Sequence, residues 1–191
     1  MASIPDSAPG SSGQKIEFPF RDVKATQVAA RFVEKNGGYF DHYLLAKCLY
    51  ALDRRGLEKC GRPVIGGIYK NLTFGPVNQS ALDMMQEARG FYSDHLNRSG
   101  NEVKLVSDPG HEQLSRVEMN LIDEIFAEWS SLNFNQAKLK IHELPESNDS
   151  EFVNRVLPVA EILRHLGKSA AEVQEIAEIA AASRQIQSLN P

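Results

Sequence analysis

The sequence predicts a mainly α fold: a compact helical domain with a small β-hairpin or short strand pair near residues 64–77 and 102–107. Three observations carry this expectation. Apolar side chains recur at helical spacing, as in Val28, Ala29, Phe32 and Val33, or Ile122, Ile125, Phe126 and Trp129. Helix punctuation brackets those runs: Ser115 with Glu118 and Ser169 with Glu172 read as capping boxes, and Gly61 as the residue past a helix end. Residues 64–77 (VIGGIYKNLTFGPV) and 102–107 (EVKLVS) break the helical pattern with β-branched or aromatic side chains.

In chain order, residues 1 to about 14 are mostly Ser, Pro, Gly and Ala, too poor in large apolar groups to offset the entropy of ordering. The IEFPFRD stretch is an extended lead-in, and Asp22 stands at an N-cap position before a helix over 23–36, which Gly37-Gly38 ends. A second helix runs from about Asp41 to Lys59 with Leu45, Cys48, Leu49 and Leu52 on one face, and Pro63 follows it. A short strand near Tyr69 leads to a turn at Phe74-Gly75-Pro76, and residues 102–107 pair with that strand. Further helices are expected over 80–96, from Ser115, over 136–143, over 151–166 with a kink or restart at Pro158, and from Ser169 to about Ser188. The domain reading is a flexible tail over 1–20, a main domain over 21–146 and a helical extension over 147–191, packed on the domain or on a partner.

Composition narrows the function classes. The chain has 191 residues, 42% hydrophobic and 24% charged, with a formal net charge of −4. That is enough apolar material for a core, and the acidic balance gives no chain-wide drive toward nucleic acid. No apolar run reaches membrane-spanning length, and the N-terminus lacks the charged start and apolar centre of a secretory signal. Cys48 and Cys60 lie in or beside one helix, which disfavours a mutual disulfide and fits a reducing cytoplasm.

No catalytic pattern emerges. The five histidines form no metal-ligand spacing, and no nucleophile elbow, phosphate loop or dinucleotide fingerprint is present. No catalytic residue, metal or cofactor is therefore expected. An open pocket gathering Asp53, Tyr50 and His42 would revive an enzyme reading. Asp53 sits at the core boundary, where a buried ion pair with an arginine would anchor the Gly61–Gly75 loop; recognition of a partner's charge is the alternative. Arg54, Arg55, Lys59 and Arg62 are the best basic cluster, and hence the best argument for DNA binding.

A series of blocks then carries a resemblance: Lys47-Cys48-Leu49-Tyr50-Ala51-Leu52-Asp53-Arg54, Gly61-Arg62-Pro63-Val64, Gly66, Tyr69, Phe74-Gly75-Pro76-Val77, Leu114-Ser115 and His142-Glu143-Leu144-Pro145-Glu146. In order and spacing, over about residues 22–146, these resemble the Panacea domain of SocA-like antitoxins. Cys48, Gly67 and Ser147 depart from the pattern at three places. The resemblance implies a mostly helical domain that binds a cognate toxin protein, on a scaffold used with many unrelated toxins. Under it, Lys47, Tyr50, Asp53, Arg54, Arg62, Tyr69, Phe74, Gly75 and Pro76 are partner-binding or scaffold residues, with hydrogen bonds tying the second helix to the central loop. A protease adaptor that delivers the toxin, a DNA-binding autoregulator and a self-associating chain remain the alternatives.

Overall fold

The computed structural model describes residues 15–189. From Lys15 to Phe20 the chain is extended, and its alternation buries Ile16 and Phe18. Two backbone bonds, Arg21 N–H to Ile65 O and Gly67 N–H to Phe18 O, tie this lead-in to the central loop. Ile16 and Phe18 thus join the core, within the stretch over 1–20 expected as a tail. Residues 1–14, the rest of that tail, lie outside the described residues.

The elements that follow are α1 (Asp22–Lys35), β1 (Tyr39–Asp41), α2 (His42–Cys60), β2 (Tyr69–Leu72), β3 (Gly75–Asn78), α3 (Gln79–Glu87), α4 (Phe91–His95), β4 (Leu96–Ser99) and β5 (Glu102–Leu105). Then come α5 (Arg116–Trp129), α6 (Phe134–His142), a 3-10 turn (Pro145–Ser147), β6 (Arg155–Val156), α7 (Val159–His165) and α8 (Ala170–Leu189). The fold is mainly helical, with two three-stranded antiparallel sheets ordered β1-β5-β4 and β3-β2-β6.

Helix α2 is the axis of the domain. The Asp41 carboxylate caps it by accepting from the Leu44 N–H, and Gly61 ends it in the left-handed region at φ 64°. It is buried on nearly all sides over its first three turns, with α5 and α6 packed on it and the β2–β3 hairpin against a third flank. Asp22, expected as the cap of α1, is instead its first residue, where its charge faces the positive end of the helix dipole. Lys24 of α1 meets Glu118 of α5 in a buried pair at 2.7 Å, and the other Glu118 oxygen closes the capping box with Ser115. The Ser169–Glu172 box likewise starts α8.

Three expectations are corrected. Residues 102–105 pair with β4 and β1, not with the strand near Tyr69. The cause is local: Gly100-Asn101, with Gly100 at φ 62°, makes a two-residue turn that folds β5 directly onto β4. The single helix over 80–96 is two helices and a strand, because Ala88 (φ 44°) and Gly90 (φ 59°) turn the chain and Leu96 enters a sheet. The helix expected from 151 starts only after Pro158; before it, the Leu157 N–H bonds to Tyr69 O and Val156 pairs with Lys70. The described part of the extension over 147–191 packs on its own domain through Ile162, Leu163, Ile176, Ala177 and Ala180.

Candidate functional site

The residues singled out by sequence converge on one flank of α2, where it meets the β2–β3 hairpin. Asp53 is fully buried. One carboxylate oxygen accepts from the Val64 and Ile65 N–H groups at 2.8 Å each. The other accepts from the Tyr69 hydroxyl at 2.8 Å and Asn78 Nδ2 at 2.9 Å. Asp53 therefore anchors the loop as expected, but with neutral donors instead of an arginine. Burial pushes its pKa up to about 6 against the pull of those hydrogen bonds. With four donors and no acceptor around it, the ionised form is the one the site fits at neutral pH. Asn78 extends the lattice: its Nδ2 also donates to Gly66 O, and its Oδ1 caps α3 at the Ala81 N–H.

One turn before Asp53 and one residue after it on α2, Tyr50 and Arg54 hold Glu146 of the 3-10 turn. The Tyr50 hydroxyl donates to Glu146 Oε1 at 2.9 Å, and Arg54 Nε to the same oxygen at 2.6 Å. Asn71 of β2 bonds the carbonyls of Glu146 and Ser147. The Tyr50 and Tyr69 rings meet edge to face at 6.0 Å, and burial raises both hydroxyl pKa values. Asn71, Asn78 and Glu146 complete this lattice but were not singled out by sequence. Glu146 stood in the closing block, Asn71 sat inside the strand pattern of residues 64–77, and Asn78 fell just past it, ahead of the helix expected from residue 80.

Lys47, 1% exposed, donates to Gly75 O and Pro76 O at 3.1 Å each. Among the described residues no carboxylate comes within ion-pair distance of it, and burial lowers its pKa to about 7. It fixes the start of β3 from below. Gly75 is required there: its φ is 86°, and a Cβ would stand 2.7 Å from Ile141 Cγ2 on α6.

That anchoring displays an aromatic corner. Phe74, in the hairpin turn, is 48% exposed, and so is Phe134 at the start of α6. Their rings lie 6.0 Å apart, and Tyr43 of α2 sits 4.5 Å from Phe134. Lys138 Nζ stands 5.4 Å over the Phe74 ring. Phe134 was not foreseen, since its ring partners come from distant parts of the chain.

Arg62 does not join the lattice. It is half-exposed and approaches Glu118 at 3.8 Å. The basic cluster is matched by acids: Arg54 to Glu146, Arg55 to Glu124 and Glu128, and Lys59 to Glu124. Among the described residues, Asp149, Glu161 and His165 come close enough together to suggest a metal. Arg164 already bonds both carboxylates there, at 3.0 and 2.6 Å, so those oxygens have a cation without an ion. Tyr50 and Asp53 have no exposed surface, and His42 is buried as well.

These features define a helix-centred domain stiffened by a buried polar lattice and presenting an aromatic corner. The family model described as antitoxin SocA-like, Panacea domain, matches residues 45–146, from early α2 to the 3-10 turn. The chain belongs to the SocA-like, Panacea-domain antitoxin family. No curated protein and no solved structure matches it. Helix α1 precedes the matched residues yet shares their core.

Proposed function

We propose that this chain neutralises a cognate protein toxin by binding it directly and masking its working surface. Family membership supports the antitoxin role. The observation that supports binding as the mechanism is where the signature side chains go. Lys47, Tyr50, Asp53, Arg54, Tyr69, Gly75 and Pro76 are bound up inside the scaffold, and only Phe74 and Arg62 face outward. A rigid scaffold with a projected aromatic is suited to holding a partner, because little order is lost on docking. We read the chain as a binding protein rather than an enzyme for the same reason: Asp53 and Lys47, two buried groups able to carry charge, are sealed under the hairpin.

The DNA-binding reading loses support from the acids that pair with Arg54, Arg55 and Lys59. It predicts a salt-dependent shift of operator DNA. No α-helix among the described residues is long and apolar enough to cross a membrane.

The experiment is growth rescue. The product of the neighbouring gene is expressed from an inducible promoter with and without this chain, and its level is followed by immunoblot. Restored growth at an unchanged toxin level, with co-purification of the two proteins, is the expected result. Restored growth with toxin disappearance would replace masking by delivery to a protease. Arrest despite the chain, or a harmless neighbour, would remove the assignment for that pair.

A further inference from the structure

Three exposed features compete as a docking surface. The groove beside the lead-in, lined by Ile16, Ile68, Val156 and Pro158, is largely apolar, and its two charged residues, Lys15 and Glu17, pair with each other at 2.8 Å, which leaves no net charge to choose an occupant. The Asp149–Glu161–His165 group is occupied by Arg164. The aromatic corner differs from both, because its surroundings specify chemistry.

The corner is assembled from three separate elements, each held in place. Tyr43 lies in the first turn of α2, behind the Asp41 cap. Phe74 is fixed by the two Lys47 bonds to the carbonyls that follow it, and Tyr43 Oη reaches Phe74 O at 3.4 Å. Phe134 begins α6 behind the Asn133–Gln136 capping box. Aromatic groups fixed in this way and left half-exposed have the composition of an interface centre.

The local charge is positive in a chain of net charge −4. Among the described residues, Lys138 has no carboxylate within ion-pair distance, whereas Lys140 on the same helix is matched by Glu128. Lys47 lies beneath, its Nζ 5.2 Å from the Tyr43 ring, also without a carboxylate. Burial first, and then the charges of Lys47 and Lys138, hold the His142 pKa below its usual range. Asp41 is the acid near Tyr43, and its carboxylate is engaged with the Leu44 N–H.

We infer that the toxin docks on this corner with an apolar or aromatic side chain flanked by carboxylates. The apolar group packs among Tyr43, Phe74 and Phe134, and an acidic neighbour pairs with Lys138. This rests on the direct-binding reading above and adds the surface and the partner's chemistry. A second copy of this chain is the rival occupant.

The test titrates the purified neighbouring-gene product against the full chain and its variants, with thermal melting to confirm folding. Phe134→Ala and Phe74→Ala are expected to weaken binding about thirty-fold each, as removal of central aromatic anchors does. Lys138→Glu is expected to weaken it at least about ten-fold, and Lys138→Gln less, with a shallower salt dependence than wild type. Ile68→Ala, in the rival groove, is expected to leave affinity unchanged. Wild-type binding that survives Phe134→Ala and Phe74→Ala overturns the surface while leaving direct binding intact. Loss with the aromatic variants but none with Lys138→Glu overturns the acidic chemistry. A wild-type dimer that these variants dissociate, with toxin affinity unchanged, assigns the corner to self-association and overturns the proposal. Absence of wild-type binding removes both this inference and the reading beneath it.

Discussion

Helix α2 uses charge in two opposite ways on two of its flanks. Toward the hairpin, Asp53 and Lys47 are buried and each is satisfied by uncharged groups, amides, a hydroxyl and carbonyls. Toward α5, Arg55 and Lys59 meet Glu124 and Glu128 in ion pairs open to water. The buried flank positions backbone to within a hydrogen bond, because each lost contact strands a polar atom out of reach of solvent. The open flank orients two helices loosely, because water can replace any one pair. Specific geometry is therefore expected to reside with the hairpin, and tolerance with α5.

Four substitutions test that contrast. Asp53→Ala would leave the Val64 and Ile65 amides, the Tyr69 hydroxyl and the Asn78 amide without their acceptor, and is expected to destabilise the domain by about 4 kcal/mol in urea unfolding. A loss under about 1 kcal/mol would show that the lattice does not govern stability. Gly75→Ala forces a side chain into the left-handed region and against Ile141, and is expected to lose about 2 kcal/mol.

Lys47 carries a pH signature. Its pKa falls from 10.5 unfolded to about 7 folded, so between those values the unfolded chain holds a proton that the folded chain has released. Stability from this group must therefore rise with pH across that window, by about 1 kcal/mol per unit between pH 7.5 and 9. The difference in unfolding free energy between wild type and Lys47→Met isolates the effect from Tyr43 and Cys48, whose raised pKa values act in both proteins. A flat difference would mean that Lys47 keeps its charge in the fold. The smallest effect belongs to the open flank: Arg55→Ala is expected to lose about 0.5 kcal/mol, and half a molar salt to erase most of the difference. An equal loss at high salt would make that flank structural after all.

Much of this was legible in the chain because the signals are local. The Ser115 and Ser169 boxes, the Gly61 stop and the apolar face of α2 each depend on residues within a turn or two. The role of Asp53 as a loop anchor was also readable, since an acid on an apolar face must find partners. Its partners were not, because Tyr69 and Asn78 arrive only once the hairpin has folded back. Ala88 gave no warning of its left-handed turn, being a strong helix former by type. Gly100-Asn101 is a usable local signal, since two such residues between short strands mark a tight hairpin. The Phe74–Phe134 corner had no sequence signature, because an exposed aromatic gains meaning only from its neighbours in space.

The clasp on Glu146 has a mechanical consequence. Glu146 is the last residue of the matched segment, and Tyr50 and Arg54, close to its first, grip it. The segment works like a closed buckle, entered and left at neighbouring points. The chain on both sides of the buckle, α1 before it and α7 and α8 after it, folds back onto the same core.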